Sequence, residues 1–145
     1  MNRPPEYDNL LRTHAFKPAV SSKDSIQQFL QTAEGMQADA RLPMRDSARF
    51  LLAYEGVFSV VMAVLEAYEV RPGDGGGHRS TAIARVAADL RLTPAKPSVL
   101  IRLHDVRNRV TYRQPIPPIT KADADAMQAI LEEVLPAAIT LIGPG

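Results

Sequence analysis

Apolar residues recur along this chain every three or four positions, and no stretch alternates apolar with polar residues over strand length. The pattern predicts helices and no β-sheet. A first helix is expected from the Ser21 and Ser22 caps to about Ala40, with Ile26, Phe29, Leu30, Ala33 and Met36 at helical spacing. Pro43 interrupts it, because proline lacks an amide donor and disfavours helical geometry in the residue before it. The second helix, roughly Met44 to Val70, is apolar around much of its circumference and is expected at the centre of the fold, with Phe58 and Val61 deeply buried. Arg71-Pro72-Gly73-Asp74-Gly75-Gly76-Gly77 ends it.

A third helix is expected from about His78 to Leu90, and a fourth from Pro97 or Ser98 to about Tyr112. In the fourth, Val99, Leu103, Val106 and Val110 make one narrow core stripe. Pro115, Pro117 and Pro118 forbid helix. Thr120 with Asp123 three residues later resembles a capping box that opens a last helix running to about Ile142. The expected fold is all-α, a four- to five-helix up-and-down bundle over residues 21–145, preceded by a disordered or extended N-terminal arm over residues 1–20.

Composition narrows the class without naming an activity. At 145 residues the chain has the usual size of one domain, and 46% hydrophobic with 23% charged residues is ordinary globular composition. The absence of cysteine excludes disulfides and thiolate metal sites. The first twenty residues mix charges with Pro4, Pro5 and Pro18 and carry no apolar core of a signal peptide. The longest uncharged apolar run, Gly56 to Leu65, is too short to span a bilayer. A cytoplasmic location and no membrane association are therefore expected.

Net charge is +1, but it is unevenly placed. Between Arg71 and Arg113 nine Arg and Lys residues stand against three Asp, a balance of +6. Such asymmetry marks either a face that meets phosphate or an acidic partner, or a solvated basic surface. On an ideal fourth helix, His104, Arg107, Asn108 and Thr111 share a polar flank, with Arg102, Asp105, Arg109 and Tyr112 opposite. The first flank has the groups to hold a phosphate and move a proton, or to make an ordinary Arg–Asp or Arg–Glu contact.

Gly75-Gly76-Gly77-His78-Arg79-Ser80-Thr81 leads into a helix N-terminus, where free amides favour anions. No strand is expected before it and no Gly-Lys-Ser/Thr follows, so it is either a phosphate contact or a plain connector, and not a nucleotide P-loop. Histidines at 14, 78 and 104 lack close carboxylate spacing, so no metal site and no cofactor are expected.

Arg107-Asn108-Arg109-Val110-Thr111-Tyr112 resembles the signature of the HEPN superfamily, in which an Arg, a polar residue, three variable residues and usually a His close a helix of a four- or five-helix bundle. Ala53-Tyr54-Glu55 in the second helix and Gly75-Gly76-Gly77-His78-Arg79 before the third agree in order and spacing, so the resemblance spans about residues 22 to 142. It implies a homodimer acting as a metal-independent RNase, often a toxin neutralised by a cognate antitoxin. By motif position Arg107 would bind the scissile phosphate and Asn108 would orient it. Tyr112 stands where histidine is usual, and a phenol is ordinarily a weak general base near neutral pH. His104, one turn before Arg107, is the candidate to substitute for that histidine.

The expected RNA-contacting set is Arg102, Arg107, Arg109, Arg113, His78 and Arg79. The other class left open is a non-catalytic HEPN-like module that binds a protein partner, such as a nucleotidyltransferase, or a nucleotide.

Overall fold

The computed structural model describes residues 2–143; the first residue of the expected arm and the last two of the expected domain lie outside it. Among the described residues six α-helices and one two-stranded ribbon follow one another. They are α1 (Glu6–Arg12), β1 (Phe16–Pro18), α2 (Lys23–Ala40), α3 (Asp46–Ala67), β2 (Val70–Pro72), α4 (His78–Asp89), α5 (Lys96–Asn108) and α6 (Lys121–Ile142). A π-helical turn over Arg109–Arg113 extends α5. The fold class is all-α.

The helix starts follow from their caps. The Ser22 side chain accepts from the Ser25 amide at the head of α2. Thr120 and Asp123 form a reciprocal capping box at the head of α6. Helix α3 is the central element and packs most extensively against α2 and α6, while α4 lies against α3 and α5, and α5 also leans on α6. Its buried positions, including Phe50, Tyr54, Val57, Val61, Val64 and Leu65, run around most of its circumference. By length and composition alone α3 is apolar enough to cross a membrane, yet most of that stretch is enclosed by the other helices. Gly56 permits the closest approach: a Cβ there would come within 2.9 Å of a Leu131 methyl on α6.

Four expectations need correcting. The absence of any sheet fails in one place, where β1 pairs antiparallel with β2 and Phe16, Lys17 and Pro18 face Pro72, Arg71 and Val70. The N-terminal arm is neither disordered nor simply extended. Tyr7 and Phe16 are fully enclosed in the core, and the Tyr7 ring packs against those of Phe16 and Tyr68. Burying two aromatic rings recovers the entropy lost in ordering the segment.

Phe58 is only half-buried, because its ring carries the Arg79 guanidinium 3.9 Å from its centroid. On α5 the enclosed residues are Leu100, Leu103 and His104; of the expected stripe only Leu103 is fully buried, while Val99, Val106 and Val110 are half-buried. The helix is rotated toward α3 because His104 has a hydrogen-bond partner there.

Candidate phosphate-binding site

Three segments that are distant in sequence converge where α3, α4 and α5 meet. Helix α3 presents Tyr54 and Glu55, the first turn of α4 presents Arg79, and the last turn of α5 presents His104, Arg107 and Asn108. These are the segments on which the family resemblance rests. The π-helical turn adds Tyr112.

Glu55 is the electrostatic centre. One of its carboxylate oxygens, Oε1, lies 3.4 Å from Arg107 and 3.7 Å from Arg79. Neither distance is that of a short charge-assisted hydrogen bond, which runs about 2.7–2.9 Å. Arg107 is 13% exposed and Glu55 41%, so the carboxylate lies at the mouth of the cluster and the guanidinium beneath it. The Arg–Glu contact considered for this flank is therefore present, and it involves two arginines.

A directed hydrogen-bond chain supports the guanidiniums from below. Arg107 donates to Asn108 Oδ1 at 3.1 Å, and Asn108 Nδ2 lies 3.2 Å from His104 Nε2. His104 Nδ1 lies 2.9 Å from the Tyr54 hydroxyl oxygen, which also receives a hydrogen bond from Arg79 at 3.3 Å. With the Asn108 amide oriented by Arg107, one tautomer satisfies every contact. His104 Nε2 accepts from Asn108, and Nδ1–H donates to Tyr54.

The imidazole is thus neutral in this network. Burial lowers its pKa from the usual histidine value; the nearby Arg107 and Arg79 charges act in the same direction, against the opposing pull of Asp105. Burial raises the Tyr54 phenol, opposed by the hydrogen bond and charge of Arg79. Both groups are uncharged near neutral pH. Arg107 further lies 4.8 Å from the Tyr54 ring centroid and 5.2 Å from that of Tyr112.

The π turn accounts for Tyr112. Its backbone widens to i→i+5 hydrogen bonding, with the Gln114 amide donating to the Arg109 carbonyl at 2.6 Å. An i→i+5 turn stacks residues five apart, which is the spacing of Arg107 and Tyr112. The ring is 69% exposed. An ideal α-helix would have placed it on the flank opposite Arg107.

The other expected residues go elsewhere. Arg102 pairs with Asp123 at 3.4 Å on α6. Arg109 donates to the carbonyls of Gln114 and Pro117 and so braces the proline-rich connection. Arg113 is exposed, and His78 is half-buried at the head of α4. Thr111 is exposed and takes no part in the cluster. Of the expected catalytic set, His104, Arg107 and Asn108 are joined directly and Tyr112 lies against Arg107. Of the wider RNA-contacting set only Arg79 joins them.

Tyr54 and Glu55 were not anticipated as site residues. The sequence signal was a polar pair inside an otherwise apolar helix, Tyr54-Glu55 between Ala53 and Gly56. A short strand, β2, does precede the glycine-rich loop, contrary to expectation. It belongs to an edge ribbon, and the Gly-Lys-Ser/Thr of a P-loop is still missing. Gly73 is required there, since a Cβ would fall 2.3 Å from the His14 carbonyl oxygen. Among the described residues no three His, Asp or Glu gather as metal ligands.

Compared with known proteins, the chain matches no family model, and no curated protein matches it significantly.

Proposed function

We propose that this protein is a HEPN-like RNA-interacting protein, of the toxin–antitoxin type of metal-independent RNase but with weak or absent catalysis. It would work as a homodimer with Arg107 and Asn108 facing a shared cleft. The observation that carries the reading is the convergence of Arg79 and Arg107, from two helices, on one half-exposed carboxylate beside an exposed aromatic ring. Paired guanidiniums held by part-buried hydrogen bonds suit an oxyanion, and an adjacent open ring suits an unstacked base.

Weak catalysis follows from the base. His104 is 4% exposed and both its ring nitrogens are engaged, so it positions Asn108 and Tyr54 rather than meeting a substrate. The same observation favours the second reading, a non-catalytic module partnered by a cognate antitoxin or nucleotidyltransferase. Induced expression of the wild type beside Arg107→Ala tests the first reading. Growth arrest that Arg107→Ala relieves supports it; equal growth, with no Arg107-dependent RNA shift on gels, favours the second. RNA affinity should fall steeply with salt, because phosphate contacts release counterions. Light scattering should give twice the 15.9 kDa chain mass, and a monomer would count against the shared cleft.

A further inference from the structure

Glu55 already occupies the place an incoming oxyanion would take. A ligand must therefore do more for Arg79 and Arg107 than that carboxylate does. An internal RNA phosphodiester carries one negative charge, so exchanging it for Glu55 leaves the charge balance of the pair unchanged. A phosphate monoester carries about −1.5 to −2 near neutral pH and offers three terminal oxygens. It can neutralise both guanidiniums at once.

We propose that the Arg79–Arg107 site selects the terminal phosphate monoester of an RNA strand, which displaces Glu55 while the terminal base stacks on Tyr112. The proposal rests on the reading that this cluster receives RNA phosphate. Three features of the site fit a displaceable carboxylate. Glu55 bridges both arginines through a single oxygen at 3.4 and 3.7 Å, it is 41% exposed, and the described side chains make no shorter hydrogen bond to it.

The arginines, in contrast, keep their positions without Glu55. Arg79 is held by the Phe58 ring and the Tyr54 hydroxyl, and Arg107 by Asn108 and the Tyr54 ring. The receiving geometry thus survives removal of the resident anion. Because Tyr54 accepts from both Arg79 and His104, its own hydroxyl hydrogen is not used in that chain. The open Tyr112 ring next to Arg107 favours a nucleotide over a phosphorylated peptide side chain, since stacking on an aromatic face suits any base.

Calorimetric titration with one tetraribonucleotide carrying a 5′-phosphate, a 3′-phosphate or hydroxyls at both ends tests this. At least one phosphorylated form should bind about ten-fold tighter than the hydroxyl-ended strand, and which one identifies the end that is read. That advantage should vanish in Arg79→Ala and shrink in Tyr112→Ala, each checked for an unchanged melting temperature. Glu55→Gln should strengthen binding of the preferred strand several-fold, because no carboxylate has to leave. Glu55→Ala guards against a new hydrogen bond from the amide.

Equal binding of all three strands, still weakened by Arg107→Ala, would overturn end recognition while leaving the RNA reading in place. Binding indifferent to Arg107→Ala would overturn both. A phosphoserine peptide that binds as tightly as the phosphorylated strand would overturn the assignment to nucleic acid. Unchanged or weaker binding in Glu55→Gln and Glu55→Ala would overturn the displacement.

Discussion

Truncating Tyr7 tests whether residues 2–18 are part of the fold or an attachment to it. The ring is fully buried, stacks 4.9 Å from Tyr68 and 5.7 Å from Phe16, and its hydroxyl donates to the Asp89 carboxylate on α4. Burial, and next the Asp89 hydrogen bond, push its pKa well above the ordinary phenol value, so the group is a neutral donor throughout the accessible pH range.

Tyr7→Ala removes a buried aromatic and leaves a cavity, which costs about 3–5 kcal/mol. It also strips one partner from a nearly inaccessible carboxylate, leaving Arg85 at 2.8 Å as its remaining ion pair. Against a total stability of about 5–15 kcal/mol, the loss is a large fraction. At roughly 2–4 °C per kcal/mol for a domain near this size, the melting temperature should drop by about 6–20 °C.

Tyr7→Phe isolates the hydrogen bond and should cost about 1.5–3 kcal/mol, the range for a bond to a charged group. Urea unfolding followed by far-UV circular dichroism reads both variants, with an unchanged slope expected. A loss under about 1 kcal/mol for Tyr7→Ala would mean that the segment is peripheral and that the packing described for it is wrong.

Three further outcomes follow from named residues. His104 has a depressed pKa, whereas an unfolded histidine titrates near 6.5. Below about pH 6.5 the unfolded chain therefore takes up a proton that the folded one refuses, and stability should fall as pH drops toward the folded value. Denaturant melts of His104→Gln across that window should lose this part of the slope; an unchanged slope would refute the assignment. Ala95 holds a left-handed conformation, φ 77°, at the head of α5, so Ala95→Gly should stabilise by about 0.5–1 kcal/mol, and a lower melting temperature would contradict it. Phe58 is half-buried, so Phe58→Ala should cost less than the roughly 3–5 kcal/mol of an enclosed ring, and its thermal melt should lie above that of Tyr7→Ala.

The five long helices were legible because each is an apolar-rich run at helical spacing bounded by breaks of proline, glycine or a capping side chain, although on α5 that spacing misjudged the buried face. Helices α2, α4 and α6 begin within two residues of their expected starts, at Lys23, His78 and Lys121. The N-terminal segment was not legible, since two isolated aromatics, Tyr7 and Phe16, make no period. A three-residue strand is likewise too short to alternate. The candidate site was half legible. Arg107, Asn108 and His104 stand at helical spacing and remain together. Tyr112 came into place only through an i→i+5 turn that no local residue announces, and Glu55 only through the packing of α3 against α4 and α5.

The two illegible parts are physically connected. Helix α4 carries Arg79, and the N-terminal segment engages its last turns and the loop that leads into it. Just before it, Gly73 lies against the His14 and Ala15 backbone, with its amide donating to the Ala15 carbonyl at 2.7 Å. In its last turns, Arg85 and Asp89 engage Glu6 and Tyr7. The segment therefore helps to seat the helix that carries Arg79, though it touches neither Arg79 nor Glu55. Loosening it should move one guanidinium relative to the other, since Arg107 is anchored on α5 by Asn108 and His104. On the proposed reading, RNA binding by folded Tyr7→Phe should accordingly weaken in its Arg79-dependent part and keep its Arg107-dependent part. A double-mutant cycle between Tyr7→Phe and Arg79→Ala should show coupling, and strict additivity of the two losses would separate the segment from the site.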